Sequence, residues 1–201
     1  MVRIAVLISG GGTNLQSLID SSQNGYINGE IALVVSNRKK AYGLERARNA
    51  NIKAEHIKDE ELLIKRLQEE KIDLIVLAGY LAIVSENLIK RYENRIINIH
   101  PSLIPSFCGP GFYGLHVHEA AFARVVKFAG ATVHFVSSVV DGGPIILQEA
   151  MDVSNAKSPS EMQEMILLNI EHKLLPEAVR LFCDGKLKVE NERVIILWKE
   201  H

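Results

Sequence analysis

The sequence has few residues that would cross-link the chain, hold a structural metal or give it a strong charge. It has only two cysteines, Cys108 and Cys183, and its 23 Lys and Arg residues nearly cancel its 24 Asp and Glu residues, for a formal net charge of −1. So few cysteines are typical of a reducing compartment and give no zinc-binding spacing. A near-neutral chain also lacks the broad positive surface that grips nucleic acid. We expect a cytoplasmic protein that binds no nucleic acid and no metal.

Long apolar runs are absent as well. No stretch of about eighteen apolar residues is present that could cross a membrane, and the first apolar run, residues 4–8, is too short for a signal peptide and leads directly into a glycine turn. Hydrophobic residues nevertheless make up 47% of the chain, which is enough for a sizeable core. We expect one domain over residues 1–201 and no membrane association.

Apolar runs alternate with amphipathic segments in the first hundred residues. This alternation predicts parallel βαβ units in an α/β fold, with a mostly parallel sheet flanked by helices. The expected strands are residues 4–8, 30–37, 52–56, 72–79 and 95–100, and two of the expected helices are residues 43–50 and 59–71, the second with Leu62, Leu63 and Leu67 facing inward.

The second half has a different pattern. A helix is predicted at residues 119–128, followed by strands at 131–136 and 144–148 that form an antiparallel hairpin at the sheet edge. Ser158 to Glu161 has the form of a capping box, which predicts a long helix to residue 183, kinked before Pro176. Residues 187–198 suggest a small C-terminal hairpin.

A glycine-rich turn, Ser9-Gly10-Gly11-Gly12-Thr13-Asn14, links the first strand to the first helix. Glycines let a ligand approach the backbone, and a helix N-terminus favours an anion. The third glycine of a dinucleotide fingerprint and the Gly-Lys-Ser/Thr of a P-loop are both missing. The turn therefore favours a phosphate monoester over NAD, although a plain tight turn remains the alternative.

A second polar cluster follows the strand at residues 95–100. Asn98 and His100 lie two residues apart, so their side chains share one face of the strand, and Pro101 ends the strand. An amide, an imidazole and a carboxylate such as Asp141 are the groups needed to stabilise an oxyanion and move a proton. The alternative is a strand end with polar caps and an ordinary Asp-Gly-Gly turn.

Three other stretches have two interpretations each. Residues 81–84 are either ordinary core or an apolar wall for a flat heteroaromatic ring. Residues 105–114, rich in Gly and Pro, predict a surface loop that could act as a lid or substrate rim. His116 and His118 have the spacing of a metal-binding pair, but no third ligand is suitably placed.

Together these motifs resemble the glycinamide ribonucleotide formyltransferase family, over nearly the whole chain. The motifs are the glycine turn with Leu15 and Gln16, Ala78-Gly79-Tyr80, Asn98-Ile99-His100-Pro101-Ser102-Leu103, Gly114-Leu115-His116-Val117-His118, Val133-His134-Phe135-Val136, Asp141-Gly142-Gly143-Pro144-Ile145 and Glu171-His172.

The resemblance implies a Rossmann-like formyltransferase fold, with a phosphate-binding half (1–100) and a half (101–201) that contains the catalytic loop, the hairpin and the long helix. It implies that Asn98, His100 and Asp141 are catalytic, with His134 beside them, and that the phosphate of glycinamide ribonucleotide is held by Gly12, Thr13 and Asn14. Glu171 would contact the ribose. The co-substrate would be 10-formyltetrahydrofolate, and its contacts would be Leu81, Ala82, Ile83, Val84 and Asn98.

The implied mechanism is direct attack of the amine on the formyl carbon, with an oxyanion stabilised by Asn98 and a protonated His100 whose pKa Asp141 raises. Many members of the family have arginine where this chain has Ala82, so one folate contact is missing. Alternatives are a methionyl-tRNA formyltransferase, a formyltetrahydrofolate deformylase or a non-catalytic nucleotide-binding module. The expected assembly is a monomer or homodimer.

Overall fold

The computed structural model describes residues 1–197 and contains a seven-stranded sheet in the order β3-β2-β1-β4-β5-β6-β7. The first five strands are parallel, while β6 runs antiparallel to β5, and β7 to β6. The predicted mostly parallel sheet with an antiparallel hairpin is confirmed. The strands are β1 (Val2–Ile8), β2 (Gly29–Ser36), β3 (Lys53–His56), β4 (Leu74–Leu77), β5 (Ile96–His100), β6 (Phe128–Phe135) and β7 (Ile145–Asp152).

Helices cover both faces of this sheet. They are α1 (Thr13–Gln23), α2 (Gly43–Asn49), α3 (Glu60–Glu69), α4 (Glu86–Arg91), α5 (Leu115–Ala123), α6 (Pro159–Ile166) and α7 (His172–Cys183). Alternate residues of β1 enter two separate apolar clusters: Ile4 and Val6 face one, Ala5 and Leu7 the other. Because both faces of β1 are buried, its sequence is a continuous apolar run. Burying each large aliphatic side chain contributes about 1.5–3 kcal/mol.

Local signals set several helix starts. Asp59, Ser85 and Ser158 each accept a hydrogen bond from a backbone N–H in the first turn of α3, α4 and α6, a contact typically worth about 1 kcal/mol. The predicted helix start at Ser158 is confirmed. The carboxylate of Glu161 accepts a hydrogen bond from the backbone N–H of Lys157. In a standard capping box the donor would be the N–H of Ser158, one residue later.

Two helix predictions from the sequence need correction here. Leu62 is 51% exposed, because the inward face of α3 is formed by Leu63, Ile64 and Leu67. The helix expected at 119–128 lies at Leu115–Ala123 instead, since it follows the turn at Gly114, and the chain leaves it where Val125 adopts a φ of 54°. Phe128 already belongs to β6.

The predicted long helix is interrupted by a π-helical turn, Leu167–Glu171, whereas Pro176 lies within α7. The break therefore comes earlier than the proline predicts. The last two strands, β8 (Leu187–Glu190) and β9 (Arg193–Ile196), confirm a C-terminal hairpin, and the predicted extension to Trp198 lies outside the described residues. Over residues 1–197, no helix combines the length and apolar character needed to cross a membrane.

Candidate active site

Four polar side chains meet where β5 and β6 pair. Asn98 lies opposite His134 in this antiparallel pair, and His100 lies opposite Thr132. The turn after β6 brings Asp141 to the same place, with its backbone in the left-handed region at a φ of 55°. The structure therefore brings together the three predicted catalytic residues and places His134 beside them.

Asp141 lies between the two imidazoles. Its Oδ2 is 3.6 Å from Nδ1 of His100 and its Oδ1 is 3.7 Å from Nε2 of His134. The backbone N–H of Gly109 donates to Oδ2 at 2.9 Å. Burial on its own would raise the pKa of the Asp141 carboxyl, but His134, the Gly109 N–H and His100 together lower it. Asp141 is therefore a carboxylate at neutral pH.

His134 fixes the orientation of the Asn98 amide. Its Nδ1 is 2.9 Å from the carbonyl oxygen of Phe135, and a carbonyl can only accept, so we assign the ring proton to Nδ1. The other nitrogen, Nε2, then accepts a hydrogen bond from the amide nitrogen of Asn98 at 3.1 Å. The second N–H of that amide is left to stabilise negative charge on a ligand.

His100 is held in the complementary tautomer. Its Nε2 lies 2.9 Å from the carbonyl oxygen of Phe107, so the proton is on Nε2, and Nδ1 faces Asp141. Burial lowers the pKa of His100, although the Phe107 carbonyl and the Asp141 carboxylate oppose the effect. Asp141 thus acts on this pKa in the expected upward direction, but burial outweighs it and the net shift is downward. The lowered pKa favours the neutral ring, in which Nδ1 carries the free lone pair.

The glycine turn forms an open concavity at the start of α1. Gly12 precedes the helix with a φ of 73°, and a Cβ there would lie 2.8 Å from the Cα of Gly43 in α2. Side chains added at Gly10 or Gly11 would meet no atom within 4 Å, and Thr13 is exposed. The N–H groups of the first helical turn have no partner within the helix. The turn therefore has the space and donors for a phosphate.

The side chain of Asn14 points elsewhere. It is 8% exposed, and its Nδ2 donates to Oε2 of Glu171 at 2.7 Å. Burial raises the pKa of the Glu171 carboxyl, and the bond from Asn14 partly opposes this. The structure thus joins two predicted substrate residues to each other, while the backbone N–H of Asn14 lies in the first turn of α1.

Arg46, in α2, is a residue of this site that the sequence analysis missed. Its Nε donates to the carbonyl oxygen of Gly11 at 2.8 Å, and its Nη1 to Oε1 of Gln16 at 3.1 Å. Within residues 1–197 it forms no salt bridge. Its charge therefore lies beside the glycine turn without an acidic partner. No local pattern could reveal this, because the contact depends on the packing of α2 against α1.

Residues 81–84 follow β4, the strand next to β5. Leu81 is 43% exposed and Ile83 is 79% exposed, Ala82 is also exposed, and only Val84 is buried. The N–H of Leu81 donates to Oγ of Ser9 at 2.9 Å, which fixes this segment to the end of β1. Because Leu77 of β4 pairs with Asn98, this segment begins close to the predicted catalytic residues, and its exposed apolar side chains suit the face of a flat heteroaromatic ring.

The two histidines of the Gly114 motif do not converge. His116 is exposed and contacts Glu119, with Nδ1 2.9 Å from Oε2, whereas His118 is 1% exposed. In residues 1–197 no group of three metal-ligating side chains is present. The alternative interpretation of these histidines as a metal-binding pair therefore has no geometric support among the described residues.

Comparison with known proteins adds three findings. A family model described as formyl transferase matches residues 2–179. The phosphoribosylglycinamide formyltransferase of Haemophilus influenzae is 37% identical over 95% of this chain and 92% of its own length. The crystal structure of glycinamide ribonucleotide transformylase 1 from Symbiobacterium toebii has a TM-score of 0.91 and 45% identity, over 98% of this chain and 94% of that one.

Two other matches differ in extent. A formyltetrahydrofolate deformylase from Pseudomonas syringae has a TM-score of 0.88 at 27% identity, and this chain covers 65% of it. The human trifunctional purine biosynthetic protein adenosine-3 is 38% identical, but the chain spans 19% of its length.

Proposed function

Because this chain belongs to the formyl transferase family, we propose that it transfers the formyl group of 10-formyltetrahydrofolate to the amine of glycinamide ribonucleotide in purine biosynthesis. Its sheet has the Rossmann-like formyltransferase fold of the solved relatives. The observation that carries the proposal is the convergence of Asn98, His100 and Asp141 at the end of β5, on the same edge of the parallel sheet as the glycine turn after β1.

The acceptor amine must lose a proton as it attacks the formyl carbon. His100 is suited to receive it, since its Nδ1 is unprotonated and faces Asp141. The imidazolium that results has both N–H groups directed at acceptors, the carbonyl of Phe107 and the carboxylate of Asp141. We therefore assign His100 as general base, in place of the protonated hydrogen-bond donor that the family resemblance implies.

Attack converts the formyl carbonyl into an oxyanion. The free N–H of Asn98 is fixed in orientation by His134, so it can donate to this oxygen without a reorganisation cost. When the oxyanion collapses, the bond from carbon to the folate nitrogen breaks, and the new imidazolium of His100 returns its proton to that nitrogen. Atoms and charge balance, and His100 and Asp141 end in their starting states.

The rest of the site binds the two substrates. Backbone N–H groups of Gly12, Thr13 and Asn14 would hold the phosphate, with Arg46 compensating its charge. Glu171, oriented by Asn14, would meet the ribose hydroxyls. The pterin would lie on the wall formed by residues 81–84 and near Asn98, where the exposed Leu81 and Ile83 fit its faces.

The deciding experiment is an assay of the purified protein with 10-formyltetrahydrofolate and glycinamide ribonucleotide. We expect one formylated acceptor for every tetrahydrofolate produced. Release of free formate without an acceptor would indicate the deformylase activity named for the Pseudomonas syringae relative. Formylation of methionyl-tRNA would indicate a methionyl-tRNA formyltransferase. Folate binding without turnover of any acceptor would favour the non-catalytic module.

A further inference from the structure

His118 is the most deeply buried titratable side chain in residues 1–197, and the proposed mechanism does not use it. It is 1% exposed, and neither of its ring nitrogens has a hydrogen-bond partner among residues 1–197. Burial, together with nearby His100, lowers the pKa of His118 to about 4, so at neutral pH the ring offers one donor and one acceptor. Leaving such groups unpaired in the interior is unfavourable, and a ligand that pairs with them would recover that cost.

The ring lines a small cavity behind the loop that follows β5, and its two buried nitrogens become accessible to a ligand only when that loop shifts. The cavity measures about 110 Å³, and most of its wall is apolar. One of its two serine hydroxyls, that of Ser102, already donates to the carbonyl of Ser106 at 2.6 Å. The apolar part of the wall includes Phe107, Val117, Ala121, Phe128 and Ala129.

The shape and chemistry of this cavity select a narrow class of ligand. An apolar cavity of about 150 Å³ binds benzene, so the present one accommodates a smaller ring. A neutral ring is required, since the wall has no charged group to pair with an ion. We propose that this cavity is a second ligand site, which binds a small neutral azole through His118.

The cavity is connected to the catalytic histidine through Phe107. This residue lines both the cavity and a larger open cleft of about 540 Å³, and its carbonyl accepts the Nε2 proton of His100. Phe107 has a φ of 49°, and Gly109 and Gly111 beside it have φ values of 87° and 90°. Side chains added at these glycines would meet open space, so the loop has room to admit a ligand from the cleft.

A ligand bound in this cavity should therefore change the rate of catalysis without blocking the binding of either substrate. A ring placed between His118 and Phe107 displaces the Phe107 carbonyl and loosens the hold on His100, which lowers kcat. This kinetic effect rests on the proposed function, whereas binding itself does not.

Pyrazole is the probe, since it is uncharged at neutral pH and has one N–H donor beside one nitrogen acceptor. Its binding to the full chain is measured by calorimetry and by the ¹⁵N chemical shifts of the histidine rings, with a millimolar dissociation constant expected. Ala121→Leu fills the cavity and should weaken binding at least about tenfold. Ala123→Leu, in the open cleft rather than the cavity, is the matched control and should leave binding within about twofold.

His118→Phe provides a second test that does not depend on Ala121→Leu folding: it removes both hydrogen-bonding nitrogens and should abolish binding. Absence of pyrazole binding to the wild-type chain, or binding that survives both substitutions, overturns the proposal. Inhibition of formyl transfer should be noncompetitive with both substrates, and competition with either would place the probe in the substrate site and overturn it as well. If the wild type transfers no formyl group, the proposed function fails while the binding experiment still decides the cavity.

Discussion

The side-chain amide of Asn98 donates to Nε2 of His134 at 3.1 Å, and His134 is itself held by the carbonyl of Phe135. A chain of two hydrogen bonds therefore decides which amide atom of Asn98 faces the substrate. This makes His134 a positioning residue in the proposed mechanism, because it acts on the substrate only through Asn98.

His134→Ala should release the amide of Asn98 and lower kcat about ten- to hundredfold, with KM changed by less than about threefold. Asn98→Ala, which removes the donor itself, should cost about a hundred- to a thousandfold in kcat. Steady-state kinetics with both substrates gives the two values. His56→Ala, at an exposed position on the edge strand, is the control. If kcat falls by the same factor in His134→Ala and Asn98→Ala, His134 acts directly on the substrate.

Asp141→Asn should move the acid limb of the pH profile of kcat/KM to lower pH. The carboxylate of Asp141 favours the charged form of His100, and so it opposes the lowering of the His100 pKa that burial causes. Removing it lowers the pKa of His100 further, and the ring stays an unprotonated base at more acidic pH. The same change should reduce kcat about a hundredfold, since the imidazolium loses its partner. An acid limb that stays in place or moves to higher pH contradicts the assignment of His100 as general base.

Arg46→Gln should raise the KM for glycinamide ribonucleotide about ten- to hundredfold and leave kcat within about twofold, because a hydrogen bond to a charged group contributes about 1.5–3 kcal/mol. The comparison substrate is glycinamide riboside, which lacks the phosphate and should be used equally poorly by both proteins. Arg48→Gln, on the same helix but paired with Glu45, is the control. If Arg46→Gln still prefers glycinamide ribonucleotide over glycinamide riboside as strongly as the wild type does, Arg46 is not part of the phosphate site.

Gly12→Ala should destabilise the protein by about 1–3 kcal/mol, since a residue with a side chain is strained at a φ of 73° and its Cβ would lie 2.8 Å from Gly43. Urea unfolding measures the loss. Gly10→Ala, where a Cβ meets no atom within 4 Å, is the comparison and should unfold within about 0.5 kcal/mol of the wild type. Equal stability of the two variants would mean that the turn relaxes freely.

The sheet could be predicted from sequence because its central strands are buried on both faces, so their apolar runs are continuous. The shared face of Asn98 and His100 followed from the two-residue period of a strand. Helix α3 shows the limit of such patterns: Leu62 and Ile64 both fit an amphipathic helix, and the direction of the neighbouring sheet decides that Ile64 is the buried one.

The detailed site could not be read from local pattern, because it depends on contacts between distant segments. Asn14 and Glu171 are 157 residues apart, and nothing near Asn14 indicates that its amide turns away from the glycine turn. The pKa of His100 likewise depends on how deeply the ring is buried, which spacing does not encode. The proximity of Asp141 was implied only by resemblance to a family.

The central claim is that Asn98, His100 and Asp141 act on one formyl carbon, and single-turnover kinetics of Asn98→Ala, His100→Ala and Asp141→Asn tests it most directly. With both substrates saturating, the account predicts that formyl transfer to glycinamide ribonucleotide slows at least about a hundredfold in each variant, while folate binding changes little in His100→Ala and Asp141→Asn. Transfer within about tenfold of the wild type in all three variants would contradict it.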